Sequence, residues 1–279
     1  MGFAGARDGP GACGRGQPCT PRGNSWVLPL FRPDRALRSW VPRGVMEAED
    51  WLRVMREATE IGVRTVVFIG GVPLLHPLLP RFMEYALELG LLVRVVSNFV
   101  HVPERLWQLF RVFVSVSYYS AEPGPHDAMT RRRGSHRRMS ANLRKAAGLG
   151  VRLAGLVMTT ESAPDPEPAR AALRSLGVRN DKVAPLQAVG RAAGGRVSTV
   201  ADLCGRCSGE LLAVTPIGDV FPCTMARWLP VGNVRGASLR EIVGGGRVGE
   251  VRAGIQAALS ERELSVDCNS SGTDGGCMP

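Results

Sequence analysis

The chain is almost without lysine. Lys145 and Lys182 are the two lysines in 279 residues, and the other basic side chains are arginine. A bias this uniform reads as a compositional habit rather than a phosphate-binding track. No nucleic-acid recognition motif accompanies the net charge of +10, so nucleic acid is set aside as a partner. Long apolar runs are missing too. None approaches the roughly 18 to 20 residues that span a bilayer, which excludes a helical membrane anchor within the chain. The first residues lack the basic, apolar, then small-residue layout of a secretory signal. A cytoplasmic protein with reduced cysteines is therefore expected, in which clustered thiols serve metal or redox chemistry rather than disulfides. What remains is ordinary for a folded protein: 44% hydrophobic and 22% charged residues. The length suits one large domain, or one large and one small.

Three readings divide the chain. Residues 1–45 are rich in Gly, Pro and Arg and carry no apolar period, so they are expected to be irregular. From residue 46 to about 189, apolar strands alternate with amphipathic helices. Strands are predicted at 65–69, 91–96, 112–117, 151–159 and 182–184. Helices are predicted at 48–61, 78–89, 104–110, 135–149 and 167–176. Strands apolar on both faces, joined by helices, imply a parallel sheet with right-handed crossovers, an α/β fold of partial TIM-barrel type. In such a fold the residues just after each strand share one rim. Here they are Gly70-Gly71, Ser97-Asn98, Tyr118-Tyr119-Ser120 and Thr159-Thr160. After a Gly/Ala/Arg linker, residues 203–279 form a small cysteine-bearing module with further helices near 238–243 and 248–264.

The cysteines carry the sharpest signal. Cys204 and Cys207 form a CxxC pair, and Cys223 follows at the end of a predicted hairpin: strand 210–215, turn 216–219, return strand 220–221. This spacing can bring three thiolates to one metal ion or cluster, with Cys268 or Cys277 as a fourth ligand. Three unrelated reduced thiols are the simpler alternative.

Together these features resemble radical S-adenosylmethionine enzymes with a C-terminal SPASM domain, over about residues 46–259. The matching stretches are FIGGVPLLHPLLPRF (68–82), VVSNFVHVP (95–103), VSVSYYS (114–120) and TPIGDVFPCTMARWLPVGNVRGASLREI (215–242). Cys207, Gly218 and Cys223 fit the SPASM hairpin, as do Pro230 to Val234 and the Ser238 to Ile242 stretch. The resemblance implies an auxiliary [4Fe–4S] cluster on Cys204, Cys207, Cys223 and Cys268 or Cys277, with zinc as the other occupant. It implies S-adenosylmethionine at Gly70, Gly71, Pro73, Ser97, Asn98 and Ser117. It implies a ribosomally made precursor peptide as substrate, modified by 5′-deoxyadenosyl radical chemistry. The closest likeness is to members that accompany peptide natural-product clusters.

The chain departs from the family at three places, the third being its C-terminal cysteines, of which only Cys268 and Cys277 remain of a usually denser cluster. The family's catalytic cluster sits on Cys-x3-Cys-x2-Cys just after the first barrel strand, and no such triplet occurs here. Upstream there are Cys13 and Cys19 alone. The family's Gly-Gly-Glu-Pro reads Gly70-Gly71-Val72-Pro73, without the carboxylate that meets the cofactor's ammonium. The encoded chain is therefore expected to be inactive, residues 1–45 are expected not to be family sequence, and no catalytic residue is assigned. The alternative is a non-catalytic metal- or Fe–S-binding protein that holds a peptide partner.

Other residues have bland and sharp readings. His76 and His101 follow neighbouring strands, as helix-start or loop residues or as a metal pair. Tyr118 and Tyr119 face the core or stack on a ligand. The run Arg131-Arg132-Arg133, His136-Arg137-Arg138 is a solvated loop leading into a helix or a dock for an acidic peptide or phosphate.

Overall fold

A computed structural model describes residues 25–29, 44–104, 107, 112–160, 163–187, 189, 195–203 and 211–260. Six strands lie side by side in chain order: β1 (Ser25–Pro29), β2 (Thr65–Ile69), β3 (Leu92–Ser97), β4 (Val112–Tyr118), β5 (Arg152–Thr159) and β6 (Asn180–Pro185). All five neighbouring pairs are parallel. Helices α1 (Ala48–Glu60), α2 (Leu79–Glu88), α3 (Pro123–Thr130), α4 (Ser135–Gly148) and α5 (Glu167–Ser175) connect them. The fold is a partial barrel. Among the described residues β6 has no strand beyond it.

The sheet buries both faces, which is why its strands read as unbroken apolar runs. Val66 and Phe68 of β2, Val93 and Val95 of β3, and Val112, Val114 and Val116 of β4 share one core with Trp51, Val54, Met55, Phe82, Met83, Met139 and Leu143 of the helices. Each such side chain contributes about 1.5 to 3 kcal/mol on burial. The opposite face holds a smaller cluster of Val67, Val96 and Ala213, with Ile69 packed against it.

Two elements differ from expectation. Residues 1–45 were read as irregular, yet Ser25–Pro29 is a strand with parallel partners on both sides. Five residues between Pro- and Arg-rich flanks are too few to show a period, and here tertiary pairing supplies what local pattern lacks. Helix α3 was also unforeseen. Its sequence, PGPHDAMT, holds two prolines and a glycine, and His126 is its one buried residue. It starts at a proline, where a missing N–H costs nothing. The predicted 104–110 helix lies largely outside the described residues.

The C-terminal part extends the same sheet. β7 (Leu212–Val214) runs parallel to β1, and β8 (Asp219–Phe221) and β9 (Gly232–Asn233) continue antiparallel. Helices α6 (Leu239–Gly244) and α7 (Gly246–Ser260) follow. α1 stitches this part on through its polar face. The Arg53 guanidinium donates to the Val234 carbonyl at 2.7 Å, and Glu57 accepts from the Leu239 N–H at 2.9 Å. The Met46 N–H donates to the Pro216 carbonyl at 2.7 Å. The sequence suggested a module of its own. In the fold it shares the barrel's sheet and core, which offsets its small size.

Candidate functional site

The rim is built first by the turn after β2. Gly70 and Gly71 have φ of 97° and 48°, left-handed values that a side chain resists. Gly71 is exposed, so main-chain groups are open to a ligand there. Pro73 is buried and opens a single 3₁₀ turn, Pro73–Leu75, which fixes the exit of the chain. Val72, half-buried, offers no carboxylate.

Of the next three candidates, two turn their side chains back on their own loop. Ser97 Oγ accepts from the Phe99 N–H at 3.1 Å, and Asn98 Oδ1 accepts from the Val100 N–H at 3.3 Å. Ser97 is 4% exposed, and its register partner Val116 belongs to the helix-facing core. These residues shape the loop after β3. Ser117 differs. It pairs in register with Leu156, on the face opposite Val116 and Tyr118, and is half-buried. Gly70, Gly71, Pro73 and Ser117 thus lie at the C-terminal ends of β2 and β4, while Ser97 and Asn98 contribute shape.

Behind β4 sits a cluster that sequence reading missed. Tyr118 is fully buried, and its hydroxyl pairs with His136 Nε2 at 3.1 Å. The rings of His126 and His136 are 5.3 Å apart, and Tyr119 lies 5.5 Å from His126. Burial pushes the Tyr118 hydroxyl up to about 12 and His126 down to about 4, the latter helped by His136. Both ring nitrogens of His126 lack a hydrogen-bond partner. Asp127 accepts from the His136 and Gly134 N–H groups and from the Ser135 hydroxyl, and these bonds hold its carboxyl down at about 2. The cluster locks the α3–α4 turn against the end of β4. A lone His-Asp pair ahead of Gly-Ser carries no period, so no pattern pointed to it. His76 takes the helix-start role, with its Nδ1 accepting from the Leu78 N–H at 3.3 Å.

The C-terminal hairpin forms as its turn residues require. Gly218 donates to the Thr215 carbonyl at 2.9 Å and sits at φ 91°. A turn closed this way with a left-handed glycine is a standard hairpin connection. Cys223 follows β8 and is 4% exposed. Next to it the Thr224 hydroxyl is buried without a hydrogen-bond partner. A buried thiol beside an unsatisfied hydroxyl fits a metal- or cluster-ligand position. Cys204, Cys207, Cys268 and Cys277 lie outside the described residues, as do Cys13 and Cys19. Among the described residues no group of three His, Cys, Asp or Glu side chains is placed to hold a metal ion.

A cluster at the barrel's mouth is another matter. β1 is the first strand among the described residues, and residues 30–47 contain no cysteine. Cys13 and Cys19 both precede β1. The sequence contains no Cys-x3-Cys-x2-Cys.

A half-barrel carrying this hairpin on the same sheet defines a class, and comparison with known proteins names it. The Radical SAM superfamily model matches residues 19–167, and the SPASM iron-sulfur cluster-binding domain model matches 204–269. The chain belongs to the radical SAM superfamily and carries a SPASM domain. The match from residue 19, like strand β1, places part of the segment expected to be non-family inside the family fold.

The chain is 27% identical over 254 residues to a GTP 3′,8-cyclase of Synechococcus sp. (strain CC9605), covering 82% of this chain and 69% of that protein. It is 32% identical over 63 residues to a PqqA peptide cyclase of Granulibacter bethesdensis, 23% of this chain and 17% of that one. The chain thus spans only a small part of the latter. Among solved structures, Streptococcus suis SuiB bound to its precursor peptide SuiA superposes with a TM-score of 0.66 at 13% identity, over 83% of this chain and 67% of that one. At that identity the likeness is one of fold. No helix among the described residues is long and apolar enough to cross a membrane.

Proposed function

We propose that this chain is a cytoplasmic protein of the peptide-modifying type, which binds a ribosomally made precursor peptide at the rim and holds an auxiliary Fe–S cluster in its SPASM part. The observation that carries this reading is the hairpin with Cys223 at its end, fused to the sheet of a half-barrel with an open rim. Cys204, Cys207 and Cys223 are the ligands, with Cys268 the fourth. Cys268 falls within the matched SPASM span and Cys277 beyond it. The match to a PqqA peptide cyclase supports a peptide substrate, while the match to a GTP 3′,8-cyclase, over more of the chain, favours a nucleotide as the second reading. When bound, the cluster supplies redox chemistry, and the protein supplies the buried Cys223 thiol for it.

S-adenosylmethionine would lie across Gly70, Gly71 and Pro73 toward Ser117. With Val72 in place of a carboxylate its ammonium loses a charged partner. A hydrogen bond to a charged group is worth about 1.5 to 3 kcal/mol, so affinity falls roughly tenfold or more. With no cysteine in residues 30–47, the encoded chain makes no 5′-deoxyadenosine.

The test is anaerobic reconstitution with iron and sulfide. Wild-type protein should bind about one cluster's worth of iron per chain, and Cys223→Ser should lose most of it. Reductant and S-adenosylmethionine should then yield no 5′-deoxyadenosine above a protein-free control. Unchanged iron in Cys223→Ser would sink the ligand assignment. Cofactor cleavage that depends on Cys13 or Cys19 would sink the inactivity.

A further inference from the structure

The turn between α3 and α4 displays a dense cationic surface at the rim. Arg131, Arg132, Arg133, Arg137 and Arg138 are all exposed. None forms an ion pair or a side-chain hydrogen bond among the described residues. Several arginines elsewhere are matched, whereas others such as Arg64 and Arg179 stand singly rather than in a patch. Arg53 pairs with Glu57, Arg81 with Glu49, Arg170 with Asp181 and Arg196 with Asp202. The nearest acid on these helices, Asp127, is spent on Gly134, Ser135 and His136. The positive field is therefore left open to solvent.

The patch is also rigid. Asp127 ties α3 to the first turn of α4, the Thr130 and Ser135 hydroxyls meet at 2.6 Å, and Tyr118 at the end of β4 bonds His136. Arg131 is held in a left-handed conformation, φ 52°, which few side chains adopt. These ties fix the turn at the level where β4 ends, the rim of the sheet. Arg132 and Arg138 lie close enough to the loop after β3 for their charge to act on His101. The surface thus spans the exits of two neighbouring strands.

We infer that the α3–α4 turn is a docking surface for an acidic segment of the peptide partner. The inference rests on the peptide reading above and adds the chemistry of the bound segment. Arginine forks pair bidentately with carboxylates, so five of them select Asp and Glu side chains. Eight residues of turn and helix cover roughly 10 to 15 Å, a span that an extended peptide crosses in about four residues. Two to four acids within such a stretch match the patch. A triphosphate presents the same sign of charge, but it is compact and suits cations gathered around one point. These five are spread along a turn and a helix start and face solvent.

The experiment uses fluorescence anisotropy with the full-length chain. The probe is a labelled synthetic peptide with four glutamates in a Gly/Ser background, and its partner has glutamine at those places. The glutamate peptide should bind and weaken as salt rises, and the glutamine peptide should not. Arg132→Glu/Arg133→Glu/Arg138→Glu should cut affinity at least tenfold. Arg56→Glu/Arg179→Glu/Arg247→Glu changes net charge equally at a distance and should alter it less than twofold. The neutral variant Arg132→Gln/Arg133→Gln/Arg138→Gln should fall between, and it covers the case in which charge reversal unfolds the turn. Equal losses in the near and distant variants, or equal binding of both peptides, overturn the inference. Displacement of the peptide by inorganic triphosphate at lower concentration than by free glutamate peptide also overturns it, in favour of a phosphate site. Because the probe is synthetic, its failure leaves the iron and deoxyadenosine tests standing, and their failure leaves this one intact.

Discussion

Gly218→Ala is the most informative single substitution. Gly218 closes the hairpin that presents Cys223, and its φ of 91° is left-handed. An added Cβ meets two costs. The backbone resists the conformation by about 1 to 2 kcal/mol. The Cβ would also lie 2.8 Å from Asn233 Oδ1, closer than real Cβ contacts come. That carboxamide is not free to swing away. Its Oδ1 accepts from the Arg235 N–H at 2.9 Å, and its Nδ2 donates to Asp219 at 2.9 Å and to the Ile217 carbonyl at 3.2 Å. Moving it breaks at least one bond, worth about 0.5 to 1.5 kcal/mol net. The total is about 2 to 3 kcal/mol, which for a chain of this size lowers Tm by roughly 4 to 12 °C. Urea unfolding followed by circular dichroism measures it, and iron content after reconstitution should fall with it. Gly236→Ala is the internal control. Its added Cβ would meet nothing closer than 3.9 Å. It should stay within about 0.5 kcal/mol of wild type. A Gly218→Ala chain as stable as wild type, or a Gly236→Ala chain equally damaged, would refute the reasoning.

Two further outcomes follow from the joints of the fold. Glu57→Ala removes the carboxylate that accepts from both the Arg53 guanidinium and the Leu239 N–H, and should cost about 1 to 3 kcal/mol in urea unfolding, with faster proteolysis beyond residue 234. His126 is buried and neutral, with its pKa near 4 against 6.5 in the unfolded chain. The unfolded chain therefore takes up a proton that the folded one refuses, so this contribution is full above pH 6.5 and drains away as pH falls toward 4. At 1.36 kcal/mol per pH unit the loss is bounded at about 3 kcal/mol, and solvent screening brings it nearer 2. Urea midpoints between pH 7.5 and 4.5 should show this slope, and His126→Phe should flatten it. An equal slope in that variant would place the acid sensitivity elsewhere.

Most of the parallel sheet could be read from the chain because its strands are buried on both faces. A run such as Val66 to Ile69 has to be apolar throughout when helices cover one side and the barrel interior the other. The same double burial hid the orientation of the rim residues. Ser97 and Ser117 both end apolar strands and looked equivalent. Parity separates them. Ser97 shares its face with Val93 and Val95, which pack on helices, while Ser117 lies opposite Val116 and Tyr118. Counting in twos from a known core valine was the available signal. No comparable count leads to the His126 cluster, which is assembled by Asp127 reaching the start of the next helix. That contact depends on the turn between them, which pattern does not encode.

Strand β1 bears most directly on the chemistry. Read as irregular, the first 45 residues left open where the barrel begins. Its pairing with both β2 and β7 puts it in the middle of the sheet, joining the barrel to the hairpin. A strand there cannot be dropped without splitting the sheet, so packing holds it in place whatever chemistry follows. Strand β1 and the α3–α4 turn are thus both held by elements the core requires.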